Sequence, residues 1–133
     1  MIELEKISFR HENADVPSLK NVSLTIADGE CVLLCGESGS GKTTITRLIN
    51  GLIPHFYEGE LEGFAMVNGL NVTEAELYET AKLVGSVFQN PRSQFFCVDT
   101  TSELAFGCEN MGMPENEVHA RVDAAAKELK IEN

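Results

Sequence analysis

Apolar and polar residues alternate from Ile2 to Phe9, with Ile2, Leu4, Ile7 and Phe9 apolar and Glu3, Glu5 and Lys6 polar. This pattern predicts a half-exposed strand. Val22 to Ile26 alternates more cleanly, and Asp28-Gly29 after it predicts a turn. Glu30 to Cys35 is a short apolar run of the buried-strand type, and it stops at the glycine-rich stretch from Gly36 to Gly41. Ile45, Leu48, Ile49 and Leu52 then recur at helical spacing until Gly51 and Pro54 end the pattern. The order is strand, glycine loop, helix.

Further along, Phe64-Ala65-Met66-Val67 followed by Asn68-Gly69 predicts an antiparallel strand and a tight turn. Glu74 to Lys82 predicts a short acidic helix, and Leu83 to Phe88 a second buried strand closed by Asn90-Pro91. Thr100 and Glu103 have capping-box spacing, and Pro114 suits the first turn of a helix running to Lys130. The end of the chain is therefore expected to be helical. No internal repeat or low-complexity segment interrupts this order.

Composition narrows the classes. The 133 residues hold 10 Lys+Arg against 21 Asp+Glu, a net charge of −11. A general nucleic-acid binder needs clustered basic surface, so nucleic acid is not an expected partner. A content of 43% hydrophobic and 23% charged residues fits an ordinary globular domain. No apolar run reaches the roughly 18 residues of a membrane span. MIELEKISFR lacks the basic-then-apolar order of a signal peptide, so a cytoplasmic address is expected. Cys31, Cys35, Cys97 and Cys108 form no C-x-x-C pair, and His11, His55 and His119 are scattered. Buried, reduced thiols are predicted rather than a zinc site or a disulfide.

Chemistry enters with Gly36-Glu37-Ser38-Gly39-Ser40-Gly41-Lys42-Thr43, which fits G-x-x-x-x-G-K-[ST] between an apolar run and an amphipathic helix. Close wrapping of a polyphosphate needs backbone N–H groups to converge where side chains would intrude. Lys42 would reach the β- and γ-phosphates, and the Thr43 hydroxyl would complete a Mg²⁺ shell. The helix amino terminus adds a favourable dipole. No acidic residue lies between Lys42 and Phe56 despite the acidic whole. Nucleotide binding follows.

Hydrolysis would require more: a carboxylate for the metal and a group that orients water. Asp99 follows the apolar Phe95-Phe96-Cys97-Val98 and is one candidate for the metal, but the capping spacing beside it also reads as a helix start. Gln89 ends the predicted strand from Leu83, so its amide would lie at the carboxyl edge of a sheet, where ligands of open α/β sheets collect. By itself, a lone Gln before a turn is more often a solvated cap.

Together the pieces resemble the nucleotide-binding subunit of ATP-binding-cassette transporters, across nearly the whole chain but only the first half or so of the family's domain. Gly36 to Thr44, GESGSGKTT, resembles the family's phosphate loop, and Val87-Phe88-Gln89-Asn90-Pro91 resembles its Q-loop. Leu48 to Gly59, LINGLIPHFYEG, is similar to the energy-coupling-factor branch, which drives uptake of vitamins or of cobalt and nickel. The resemblance implies an α/β fold: a P-loop NTPase core with an antiparallel β subdomain, 1–92, stopping at the start of a helical subdomain, 93–133. It implies ATP on Gly36 to Thr44 and Mg²⁺ on Thr43 and Gln89. His11 stands where the family places an adenine-stacking Tyr; imidazole can still stack, or His11 is an exposed loop residue.

Implied partners are a second nucleotide-binding subunit, identical or different, and membrane-embedded transporter subunits, with the ATPase peripheral on the inner face of the cell membrane. No L-S-G-G-Q signature, no apolar strand ending in Asp-Glu and no switch His follows. An amino-terminal piece of a longer ATPase is therefore expected, binding ATP without hydrolysing it alone. A small P-loop kinase using Asp99, or a non-catalytic nucleotide-binding module, are the alternatives. A kinase would need clamping arginines, yet Arg10, Arg47, Arg92 and Arg121 are dispersed in sequence.

Overall fold

A computed structural model describes residues 1–131. The chain divides into two compact units, one from Met1 to Ser86 and one from Val87 onward.

In the first unit, strand β1 (Ile2–His11) is central, pairing antiparallel with β2 (Leu19–Ile26) on one side and β3 (Gly59–Val67) on the other. A short β4 (Leu70–Asn71) extends the sheet to the order β2-β1-β3-β4. The predicted alternation in β1 hides a change of phase. Leu4 is buried at an even position, whereas Ile7 and Phe9 are buried at odd ones. Pairing shifts between Leu4 and Ile7, and Lys6 between them has a φ of 50°. The irregularity inserts one residue and returns the later apolar positions to the core face. At the far end of β3, Asn68 and Gly69 both have positive φ, 47° and 83°, matching the tight-turn expectation.

Helix α1 (Lys42–Ile49) lies over this core and buries Leu48, with Ile45 and Ile49 packed beside it, as the helical spacing predicted. A short α2 (Leu52–His55) adds Ile53, and α3 (Leu77–Ala81) begins at Glu76 with a capping box closed by Glu79.

Two predicted strands are absent. Residues 30–35 and 83–88 carry no strand, and the sheet of the first unit contains neither. Leu33 is 83% exposed and Val87 86%. A buried strand needs neighbours on both edges and cover on both faces, and among the described residues neither run has a strand partner. The predicted burial of the thiols fails for the same reason: Cys31 and Cys35 are exposed, Cys97 and Cys108 half-buried, and all four are free.

The second unit holds one 3₁₀ turn (Pro91–Gln94) and two helices, α4 (Thr100–Asn110) and α5 (Glu115–Leu129). Ala105 of α4 and Val118 and Val122 of α5 form its buried cluster. The predicted capping box needs correction. Asp99, not Thr100, is the N-cap of α4, and Glu103 accepts hydrogen bonds from the Phe96 and Cys97 N–H groups instead of closing a box.

Candidate functional site: the loop before helix α1

The glycine loop ends at Gly41, whose left-handed backbone, φ 91°, turns the chain directly into α1. A side chain is excluded there twice over. A Cβ on Gly41 would come within 2.7 Å of both the Ser18 carbonyl oxygen and Leu19 Cδ2, at the start of β2. At the other end of the loop, a Cβ on Gly36 would reach 2.7 Å from Ser40 Oγ. At Gly41 the loop backbone thus runs where no side chain fits, whereas at Gly36 the close neighbour is a movable hydroxyl. Within it the Ser40 N–H donates to the Glu37 carbonyl at 3.2 Å.

Lys42 sits at the centre of this curl. Its Nζ donates to the Gly36 carbonyl at 2.9 Å, the Glu37 carbonyl at 2.6 Å and Ser40 Oγ at 3.2 Å. An ammonium has three donors, and the loop engages all of them. Helix α1 has no side-chain cap and no acidic residue in its first turn, so its amino-terminal N–H groups and positive dipole end face outward undiminished. Thr43 is exposed on that first turn, while Thr44 is buried beneath it. Gly36, Glu37, Ser38, Gly39, Ser40, Gly41, Lys42, Thr43 and Thr44 therefore stand together. The uncapped amino terminus of α1, a fixed cation and an exposed hydroxyl suit a phosphate chain carrying Mg²⁺.

His11 ends β1 and is half-buried, neither a free loop side chain nor a core residue. Its ring meets Phe9 at 4.7 Å and Tyr57 at 6.4 Å between centroids, close to perpendicular in both cases. It lines a cleft of about 300 Å³ with Arg10, Glu12, Glu58, Gly59 and Glu60. His11 is tied to the phosphate loop through the sheet: the Ser18 N–H donates to the Phe9 carbonyl at 2.8 Å, and Ser18 is the residue that crowds Gly41. Sequence reasoning missed Tyr57, because its neighbour relation depends on His11 pairing across the sheet with Gly59. No local spacing announces that register.

Gln89 belongs to the second unit and is exposed, between Ser86 and the 3₁₀ turn. The strand expected to deliver it is not formed. Beside it, the Phe88 N–H donates to Gln94 Oε1 at 2.9 Å. Asp99 is fully engaged as a helix cap: Oδ1 accepts from the Ser102 N–H at 2.8 Å and Oδ2 from Ser102 Oγ at 2.7 Å. Those bonds, the backbone one foremost, hold its carboxyl below the usual range. The structure thus gives Asp99 the helix-start role. Cys97 is pushed the other way, first by desolvation and then by the Glu103 carboxylate, so its thiol stays protonated. Among the described residues, no cluster of three His, Cys, Asp or Glu side chains could hold a metal ion.

A glycine loop wrapped round a lysine at the start of a helix defines a P-loop nucleotide-binding fold. The profile of the ABC transporter family matches residues 19–133, and the chain belongs to that family. It is 52% identical over 133 residues to a Treponema denticola protein described as an ABC transporter ATP-binding protein. The chain spans about a quarter of that relative's length. Among solved structures it resembles cbiO1 of Clostridium perfringens, described as part of the ABC transporter complex cbiONQ, with a TM-score of 0.78 and 26% identity over 95% of this chain and 49% of that one. It also resembles the dimeric structure of MJ0796, a bacterial ABC transporter cassette, with a TM-score of 0.71 and 26% identity over 98% of this chain and 56% of that one. The fold is that of a truncated ABC ATPase domain, an antiparallel sheet with helices.

Proposed function

We propose that this chain is the Mg·ATP-binding portion of a transport ATPase. The observation that carries the reading is the closed curl of Gly36 to Lys42 at the open amino terminus of α1. In this reading Gly36 to Thr44 hold the phosphates, Lys42 neutralises the terminal ones and the Thr43 hydroxyl binds Mg²⁺. The metal would supply charge neutralisation on the phosphate oxygens. His11 faces the adenine. Residues 1–92 act as the partial nucleotide-binding core and 93–133 as the start of the helical subdomain. Gln89 would be a further residue to hold the metal, a role supported by its exposed position in the loop before Pro91 and by the family resemblance of that loop.

Hydrolysis belongs to a dimer with a second nucleotide-binding subunit, and the chain by itself binds ATP without turning it over. No acidic residue lies in the first turn of α1, and Asp99 of the second unit serves as a helix cap. Membrane-embedded subunits are the further partners, and the site of action is the inner face of the cell membrane. No described helix is long and apolar enough to cross a membrane. Uptake of a small solute, of vitamin or metal-ion type, is supported by the LINGLIPHFYEG segment and by the likeness to cbiO1.

Titration calorimetry with Mg·ATP tests the reading. Lys42→Ala should weaken binding by about ten- to a hundredfold, the value of a hydrogen-bonded charge. Unchanged affinity, or steady turnover by residues 1–133 that Lys42→Ala abolishes, would sink it.

A further inference from the structure

We propose that Tyr57 and Arg47 are positioning residues for His11, fixing the imidazole as a platform for the nucleotide base; the proposal rests on the reading of His11 given above. Two near-perpendicular rings flank the imidazole, Phe9 at 4.7 Å and 80° and Tyr57 at 6.4 Å and 79°. Both fall in the range where edge-to-face pairs attract. Phe9 is fully buried in the core. Tyr57 is only half-buried, packed on the edge of the same core, so it needs a second restraint.

Arg47 supplies it. Its Cζ lies 3.8 Å from the centroid of the Tyr57 ring, well inside cation–π distance. The chain carries 21 acidic residues, yet among the described residues Arg47 forms no salt bridge. Its guanidinium is committed to the ring.

The placement of Arg47 gives the contact its meaning. It follows Thr43 by one helical turn on α1, the helix that opens with Lys42 and Thr43. The row Arg47, Tyr57, His11 therefore joins the helix that would hold the phosphates to the side chain that would meet the base. A second, independent link runs through the sheet, from Gly41 against Ser18 to the Ser18–Phe9 hydrogen bond. Two chains of contact fix one distance, that between the ends of the ligand.

The test compares Mg·ATP with Mg·tripolyphosphate, which has phosphates and no base, by calorimetry on the 133-residue chain. Tyr57→Leu and Arg47→Met should each weaken ATP by about two- to tenfold, the value of one aromatic contact, and leave tripolyphosphate unchanged. Tyr57→Phe should retain the ATP affinity. In the imidazole NMR spectrum the His11 resonances should lose the Tyr57 part of their ring-current shift in Tyr57→Leu, the Phe9 part remaining, and move in Arg47→Met. Equal weakening of both ligands, or unchanged ATP affinity in both variants, overturns the proposal. His11→Ala separates the two levels. If it leaves the preference for ATP over tripolyphosphate intact, the base-platform reading itself falls; if it narrows the preference while the Tyr57 and Arg47 variants do not, only the positioning role falls.

Discussion

Gly41 shows how much one residue decides. Its φ of 91° and the 2.7 Å approach to the Ser18 carbonyl leave no room for a methyl group. Gly41→Ala should lower stability by about 1–3 kcal/mol, the usual cost of forcing a side chain into such a backbone. Thermal melting checks it, and Mg·ATP binding should fall in parallel because Ser18 and the loop must separate. The phosphate-loop residues were legible in the sequence because eight consecutive positions carry the whole device. Tyr57 and Arg47 were not, since their contact joins a residue of α1 to one ten positions on, in the loop between α2 and β3. Gln89 remains legible only through its loop motif; the strand that was to present it is missing.

Single elements answer to local chemistry and to the core in different proportions. Helix α4 depends on its cap. Asp99 binds Ser102 through both oxygens, and its carboxyl titrates below the usual value. A lowered folded value means that the charged cap stabilises the helix above the unfolded pKa of about 3.9, and that this support is lost as pH falls through the folded value. Helicity followed by circular dichroism should therefore decline in acid, and Asp99→Asn should flatten that decline while keeping a side-chain acceptor. Helix α1 depends on its buried face. Leu48→Ala removes a fully buried side chain from the core and should cost about 2–5 kcal/mol in chemical denaturation.

At the scale of the molecule, exposed apolar side chains are concentrated in the runs that were expected to be strands and just after them. Leu33, Val87, Phe88, Phe95 and Phe96 are all exposed. Self-association should follow, opposed by the net charge of −11. Light scattering should show larger particles at 0.5 M salt than at 0.02 M, because salt screens the repulsion and leaves apolar attraction intact. The sequence by itself determined strands within β1, β2 and β3, the Asn68-Gly69 turn, the phosphate loop, α1 and the helical end, since each is written in short-range alternation, helical spacing or turn residues. Tertiary structure alone decided whether the apolar runs 30–35 and 83–88 became strands, where β1 changes phase, and which side chains surround His11. Those outcomes require partners distant along the chain, and an apolar run is equally compatible with a buried strand or an exposed segment until its neighbours are present.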